Sequence, residues 1–358
     1  MGDNINRFRA VRDALKRLYP TEPGGNLARH LTVLAALVSG IVGSKSVNLP
    51  EIAKKTPDTT KPESRVKRFS RWVNNEYIDF EIYFLPFVAP LLASLAHGSL
   101  TLIMDGSEVG RKCLALVVSV VYKGRSLPIA WVVVKGSKGH FPEDTHVILL
   151  EQVYSLIPEG AQVIFLGDGE FDGTTLLATA QGYGWEYVCR TAKNTILNEK
   201  GEEFTFAEVG VMPGDCLSLP NVRFTRQGYG PVHAIAWWRK ECQEPLYLVT
   251  NMELADEACY WYRKRFRIET FFSDEKSRGF NLHKSHLSDP ERLSRLMFAA
   301  CLAYIWMVYL GALAIRDGLN KIIHRTERCD ISLFQMGLRS LEYLINEGKP
   351  IPVAFHML

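Results

Sequence analysis

The order of apolar runs between Leu100 and Arg190 most restricts the folds open to this chain. Leu100–Asp105, Cys113–Tyr122 and Leu127–Lys135 are rich in Val, Ile and Leu. Gly-containing turns such as Lys123-Gly124-Arg125 separate them, so they read as three meandering strands. A helix is expected near Thr145–Ile157, a buried strand at Gln162–Gly167, a helix near Thr174–Gln181 and a strand at Trp185–Arg190. A meander followed by alternating helices and strands specifies a mixed sheet with helices on its faces. Residues 195–257 interrupt that pattern with short strand-like pieces and the turns Met212-Pro213-Gly214-Asp215 and Gln227-Gly228-Tyr229-Gly230-Pro231, which read as a β-rich insertion. The front end and everything after Pro290 read as helical.

Two carboxylates stand where such a sheet delivers rigid ligands. Asp105 ends the run Leu102-Ile103-Met104, and Asp168 ends Val163-Ile164-Phe165-Leu166-Gly167. Either alone could cap a turn. A third acid comes from Tyr262 to Lys276, a stretch without a helix breaker. At roughly 100° per residue, Arg265, Glu269 and Lys276 fall within about 60° of Tyr262, while Arg263, Lys264, Arg267, Asp274 and Arg278 fall on the opposite, solvent-facing side. An ion-paired surface helix could carry the same charges. Paired strand-end aspartates favour a different reading, in which Asp105, Asp168 and Glu269 make a set of oxygen ligands. Glu108, Glu170 and Asp172 lie nearby but fall in turns or off-axis. Hard oxygen donors without His or Cys select Mg²⁺ or Mn²⁺ over zinc. Two such ions, roughly 3.5–4 Å apart, would support in-line phosphodiester displacement, with Tyr262, Arg265 and Lys276 as donors to the phosphate.

Charge and composition are consistent with that chemistry. Residues 1–75 hold 14 Lys and Arg against 6 Asp and Glu, a net of +8, whereas the remainder carries −5. A basic front end points to a polyanionic partner. Within it, Val66, Phe69 and Trp72/Val73 recur at helical spacing, and Arg65, Lys67, Arg68 and Arg71 lie between them. A helical DNA-binding module, such as a helix-turn-helix, fits, with a basic protein-docking surface as the alternative. The seven cysteines show no metal-ligand spacing, and a reducing cytoplasm is the expected compartment. Arg7, Arg9 and Arg12 are not followed promptly by an apolar core and cleavage site, so no signal peptide is expected. Leu296 to Ile315 carries no charge and could span a membrane by length, but its Ala content and basic flanks favour a buried helix.

The strand and helix order is that of the ribonuclease H-like layout. Tyr262, Arg265, Glu269 and Lys276 match in full the Tyr-x2-Arg-x3-Glu-x6-Lys signature of the insertion-sequence DDE transposases of the insertion-sequence-four group. The chain resembles that family over nearly its whole length. The resemblance implies a helical DNA-binding domain over 1–95 and a ribonuclease H-like catalytic domain over 96–194 and 258–290. It also implies a β-rich insertion over 195–257 and a helical C-terminal region over 291–358. Asp105, Asp168 and Glu269 would bind two Mg²⁺ ions, with Mn²⁺ as a substitute. Tyr262, Arg265, Lys276 and Arg190 would contact phosphates, and Trp237 or Trp238 would stack a flipped base. Relatives often carry Arg after the second Asp, where this chain has Gly169. The implied activity is cut-and-paste DNA transposition through hairpin ends, on double-stranded transposon-end and target DNA, by a homodimer in the bacterial cytoplasm. A nuclease of the same fold without strand transfer, and a noncatalytic DNA-binding regulator, are the rivals.

Overall fold

The computed structural model describes residues 2–136, 141–324 and 330–358; Cys329 and the side chains of Ser277 and Arg278 lie outside the described residues. The front end is helical: α1 (Gly2–Leu18), α2 (Gly25–Ser44), α3 (Leu49–Lys54), α4 (Pro62–Asn74), α5 (Phe80–Tyr83) and α6 (Leu85–Leu95). Helix α4 starts on Pro62, whose missing N–H is harmless in a first turn. It buries Phe69, Trp72 and Val73 at the expected helical spacing.

The meander follows as β1 (Leu100–Gly110), β2 (Cys113–Tyr122) and β3 (Arg125–Lys135), then α7 (Glu143–Tyr154), β4 (Val163–Gly167), α8 (Thr174–Gly182) and β5 (Glu186–Thr191). Short strands β6 (Ile196–Glu199) and β7 (Glu202–Thr205) lead to β8 (Cys216–Phe224), β9 (Tyr229–Trp237) and β10 (Leu246–Thr250). Among the described residues all ten strands join one sheet, in the order β3-β2-β1-β4-β5-β10-β9-β8-β6-β7. The β1–β4 and β4–β5 pairs are parallel and the other pairs antiparallel. Continuous apolar runs such as Val163–Gly167 suit these inner parallel positions, which are buried on both faces. The expected β-rich insertion therefore extends this sheet: β10 pairs with β5, and the other inserted strands follow outward.

After the sheet come α9 (Ala255–Tyr262), α10 (Arg267–Ser273), α11 (Pro290–Arg316), α12 (Asn320–Ile323) and α13 (Leu333–Asn346). The stretch from Tyr262 to Lys276 is not the single regular helix expected. Residues 263–266 form a turn closed by i→i−3 bonds, Lys264 N–H to Trp261 C=O and Arg265 N–H to Tyr262 C=O. Residues Asp274–Arg278 then widen into a π turn. Tightening followed by widening changes the rotation per residue, so faces read at a constant 100° drift apart. Asp274 shows the drift most clearly. Expected to face solvent, it is buried and paired with Arg125 at 3.0 Å.

Helix α11 runs through the core, and 83% of its most apolar window is buried inside the protein. That agrees with a buried helix. Helix α2 is also long and apolar enough to cross a membrane by length and composition. Gly311 on α11 and Gly337 on α13 let the two helices touch, because a Cβ at either would collide with the opposing backbone. The front helices share this core: Arg295 of α11 donates to the Val73 and Ile78 carbonyls, and Val47 N–H bonds the Phe280 carbonyl.

Candidate active site

Two carboxylates are brought level by the sheet. Ile103 of β1 lies opposite Leu166 of β4, and Asp105 and Asp168 each stand two residues further along their parallel chains. Asp105 sits inside β1, which continues to Gly110, rather than at the end of the strand as expected. Its Oδ1 accepts the Gly106 N–H at 2.8 Å. Asp168 follows β4 directly, and its Oδ1 accepts the Glu170 N–H at 3.0 Å. Glu269 is the third residue of α10.

Arg265, in the turn before α10, joins the three. Its guanidinium lies 3.7 Å from Asp105 Oδ2, 3.9 Å from Asp168 Oδ2 and 3.4 Å from Glu269 Oε1. The Arg265 side chain is 9% exposed, against 19% for Asp105, 35% for Asp168 and 60% for Glu269, so the site opens to solvent on the Glu269 side. The Arg265 ring of donors is also backed by Phe266, whose ring centroid lies 4.6 Å from the guanidinium carbon. Burial pushes the Asp105 carboxyl up to about 6; the Asp168 charge adds to the rise, while Arg265 and the Gly106 N–H oppose it. Among the described residues no three His, Cys, Asp or Glu side chains close on one another as metal ligands. The carboxylates converge on a cation all the same, and that cation is the guanidinium.

Tyr262 ends α9 and is fully enclosed, which pushes its phenol up to about 12; Arg265 and Arg190 pull the other way. It is therefore a neutral donor at physiological pH. Lys276 reaches β1, where Nζ donates to Ser107 Oγ at 2.5 Å. Burial lowers its pKa against the opposing charges of Glu108 and Asp105. Sequence reasoning missed Ser107. The strand period could have found it, since Asp105 and Ser107 share a face of β1. Arg190 is exposed on β5, opposite Leu248.

The competing acids are engaged elsewhere. Glu170 accepts the Phe141 N–H at 2.7 Å and lies 3.6 Å from His146. Asp172 accepts Thr191 Oγ1 at 2.6 Å, and Glu108 is exposed near Lys276. Of the two candidate stacking residues, Trp237 is buried at 7% exposure, with Arg263 at 5.0 Å and Arg239 at 5.7 Å from its ring. Trp238 is half-buried, and its indole N–H donates to the Cys242 carbonyl. The front-end cluster also divides. Arg65 is spent on the Ala53, Thr56 and Thr60 carbonyls and Arg68 on Asp58 at 2.7 Å, whereas Lys67 and Arg71 are exposed.

A family model described as Transposase DDE domain matches residues 99–306. These residues include β1 to β10 and the whole of the carboxylate site. No curated protein matches the chain. Among solved structures, a piggyBac transposase synaptic complex with hairpin DNA, determined by cryo-EM, is similar at 9% sequence identity and a TM-score of 0.46, over 96% of this chain and 77% of that one.

Proposed function

The chain belongs to the transposase DDE-domain family, and from that premise we propose that it is a DNA transposase of the insertion-sequence-four group. In this reading it binds terminal inverted repeats, pairs two ends as a homodimer in the bacterial cytoplasm, and cuts and joins DNA by a divalent-metal-dependent reaction through hairpin ends. The observation that carries the reading is the approach of Asp105, Asp168 and Glu269, from three separate elements, to the Arg265 guanidinium, Asp105 and Asp168 on Nη1 and Glu269 on Nη2, each within 4.0 Å. The strand order β3-β2-β1-β4-β5 supports a ribonuclease H-like core, with the domain limits set out above.

The donor set fits a hard divalent cation. It is all carboxylate oxygen, and a guanidinium already stands among the three as a stand-in cation. Asp105, Asp168 and Glu269 would hold Mg²⁺ or Mn²⁺, which when bound activates a water or 3′ hydroxyl and stabilises the leaving oxygen. The chain's own groups do the rest. The buried Tyr262 O–H donates to a phosphate oxygen without carrying charge of its own. Arg265, freed from the carboxylates, offers paired N–H donors to the same phosphate. Ser107 holds the Lys276 ammonium over β1, and Arg190 extends the positive edge on β5. Trp238, the less buried of the tryptophan pair, would stack a flipped base. Lys67 and Arg71 are the front-end side chains free to meet DNA.

The test incubates purified protein with a plasmid carrying the element's ends, in Mg²⁺ or EDTA, beside Asp105→Asn and Glu269→Gln. Wild type is expected to release the element and rejoin it to target DNA, while both folded variants fail at cutting. Variants that cut as well as wild type would remove the assignment. Cut ends that never reappear joined would favour a nuclease.

A further inference from the structure

We propose that a positive tract running from Lys276 along the far end of β1 binds the backbone phosphates of the substrate duplex, several nucleotides from the phosphodiester being cut. It begins at Lys276, over Ser107. His283 and Lys284 come next, both exposed; partial burial lowers the His283 pKa, and the charges of Lys284 and Lys276 add to the fall, so the three lie within one another's field. His286 follows, its Nδ1 3.1 Å from an Arg111 guanidinium nitrogen. Arg111 and Lys112 form the β1–β2 turn, and Lys135 ends β3 opposite Cys113. All three are exposed.

The turn is held in place rather than left to wander. Arg111 N–H bonds the Leu287 carbonyl at 3.0 Å, and Gly136 N–H bonds the Lys112 carbonyl at 2.9 Å. Lys112 itself takes a left-handed backbone, φ 53°. Arg111, Lys112, Lys135, Gly136 and Ser288 line an open groove of about 750 Å³. Among the described residues that lining holds three cationic side chains, two small residues and no acid, a charge balance that favours an anion. Among the described residues the acids facing the tract include Glu108 and Asp105, beside Lys276, and Asp289, whose Oδ1 accepts the Arg292 N–H that it caps.

Spacing identifies the ligand. Arg111 lies six residues beyond Asp105 on β1, roughly 20 Å at about 3.3 Å per residue. One strand of duplex carries a phosphate about every 3.4 Å along its axis, so on a duplex lying along β1 the groove would meet the backbone about six nucleotides from the site of chemistry. A small anion would need one pocket; a row of cations at this spacing suits a polyanion. Phosphate contacts fix register without reading bases, so the tract positions the duplex and leaves sequence recognition to other parts of the chain.

This inference rests on the reading of the chain as a DNA-acting transposase, and the test separates the two. Binding is measured by fluorescence anisotropy in EDTA, so that no cutting occurs, across a salt series. One end duplex extends about 4 base pairs past the cut on either side and the other about 12. Arg111→Gln/Lys112→Gln/Lys135→Gln is expected to weaken the longer duplex at least tenfold and to lower its salt slope by about 3, as three lost phosphate contacts require. Binding of the shorter duplex should stay within twofold, and the charge-retaining Arg111→Lys/Lys112→Arg/Lys135→Arg should behave as wild type. Unchanged affinity on the longer duplex, or equal losses on both lengths, overturns the tract alone. Wild type that binds neither duplex overturns the tract and the functional reading together.

Discussion

Arg265→Gln tests the idea that one guanidinium holds three carboxylates together until a metal takes its place. At an effective dielectric of about 20, contacts at 3.7, 3.9 and 3.4 Å each give a gross attraction of roughly 4–5 kcal/mol. Most of that is offset by the cost of drying a guanidinium that is 9% exposed. Removing one member of a buried charge cluster costs about 3–5 kcal/mol, because the remaining charges are left uncompensated. The lower end applies here, since Glu269 is 60% exposed and water can take over its share. For a chain of 358 residues, at about 2.1 cal/mol/K of unfolding entropy per residue, about 3 kcal/mol corresponds to a fall in Tm of roughly 4 °C. Gln removes the charge and also shortens the side chain by a methylene, so lost packing over Phe266 adds to the fall. Calorimetry of wild type and variant in EDTA reads the fall, and repeating it in Mn²⁺ asks whether a divalent cation restores the missing charge. The variant should lose stability in EDTA and regain most of it in Mn²⁺. Equal melting in EDTA, or a deficit that Mn²⁺ leaves unchanged, would refute the reasoning.

The raised Asp105 carboxyl, near 6, makes metal binding pH-dependent: Mn²⁺ affinity by calorimetry should climb up to about tenfold per pH unit from 5 to 6 and level off above 7. A flat profile would place the ligand elsewhere. Because the folded pKa lies above the unfolded value of 3.8, the folded state holds the extra proton between about 4 and 6, so the Asp105 contribution to metal-free stability should decline as pH rises through that window. Asn at 105 should abolish that slope. Arg125→Met leaves the buried Asp274 without its 3.0 Å partner and should cost about 3 kcal/mol in chemical denaturation, whereas Arg125→Met/Asp274→Leu should recover much of it. Trp238→Ala should slow hairpin formation more than first nicking on end DNA, and equal slowing of both steps would count against stacking.

The strand order around the site was legible because its signals are local: uninterrupted Val, Ile and Leu runs mark β1 to β5, and a strand of known period delivers Asp105 and Asp168 to one level. The helix carrying Glu269 was legible in kind but not in phase. Periodicity assumes one pitch, and nothing in Arg263-Lys264-Arg265-Phe266 announces a turn of i→i−3 bonds, nor Asp274-Glu275-Lys276 a π turn. Burial of Asp274 on Arg125 is a contact across 149 residues, set by packing that no local window sees. The tryptophan pair failed to resolve for the same reason. Trp237 ends β9 and is buried beneath Arg239 and Arg263, while Trp238 lies just past the strand and is half-buried, a boundary no local window marks. Arg65 and Arg68 read as a DNA-facing cluster from charge alone, yet carbonyls at Ala53, Thr56 and Thr60 and the carboxylate of Asp58 consume them.

The central claim is that Asp105, Asp168 and Glu269 form one divalent-metal site. Fe²⁺ substituted for Mg²⁺, with ascorbate and peroxide, cuts a polypeptide next to the place where the iron sits. Cleavage should appear at three places in the chain, near 105, 168 and 269, should fade as Mg²⁺ is added in excess, and should vanish from all three in Asp105→Asn. Cuts at one of these places without the others, or cuts elsewhere that Mg²⁺ suppresses, would contradict the shared site.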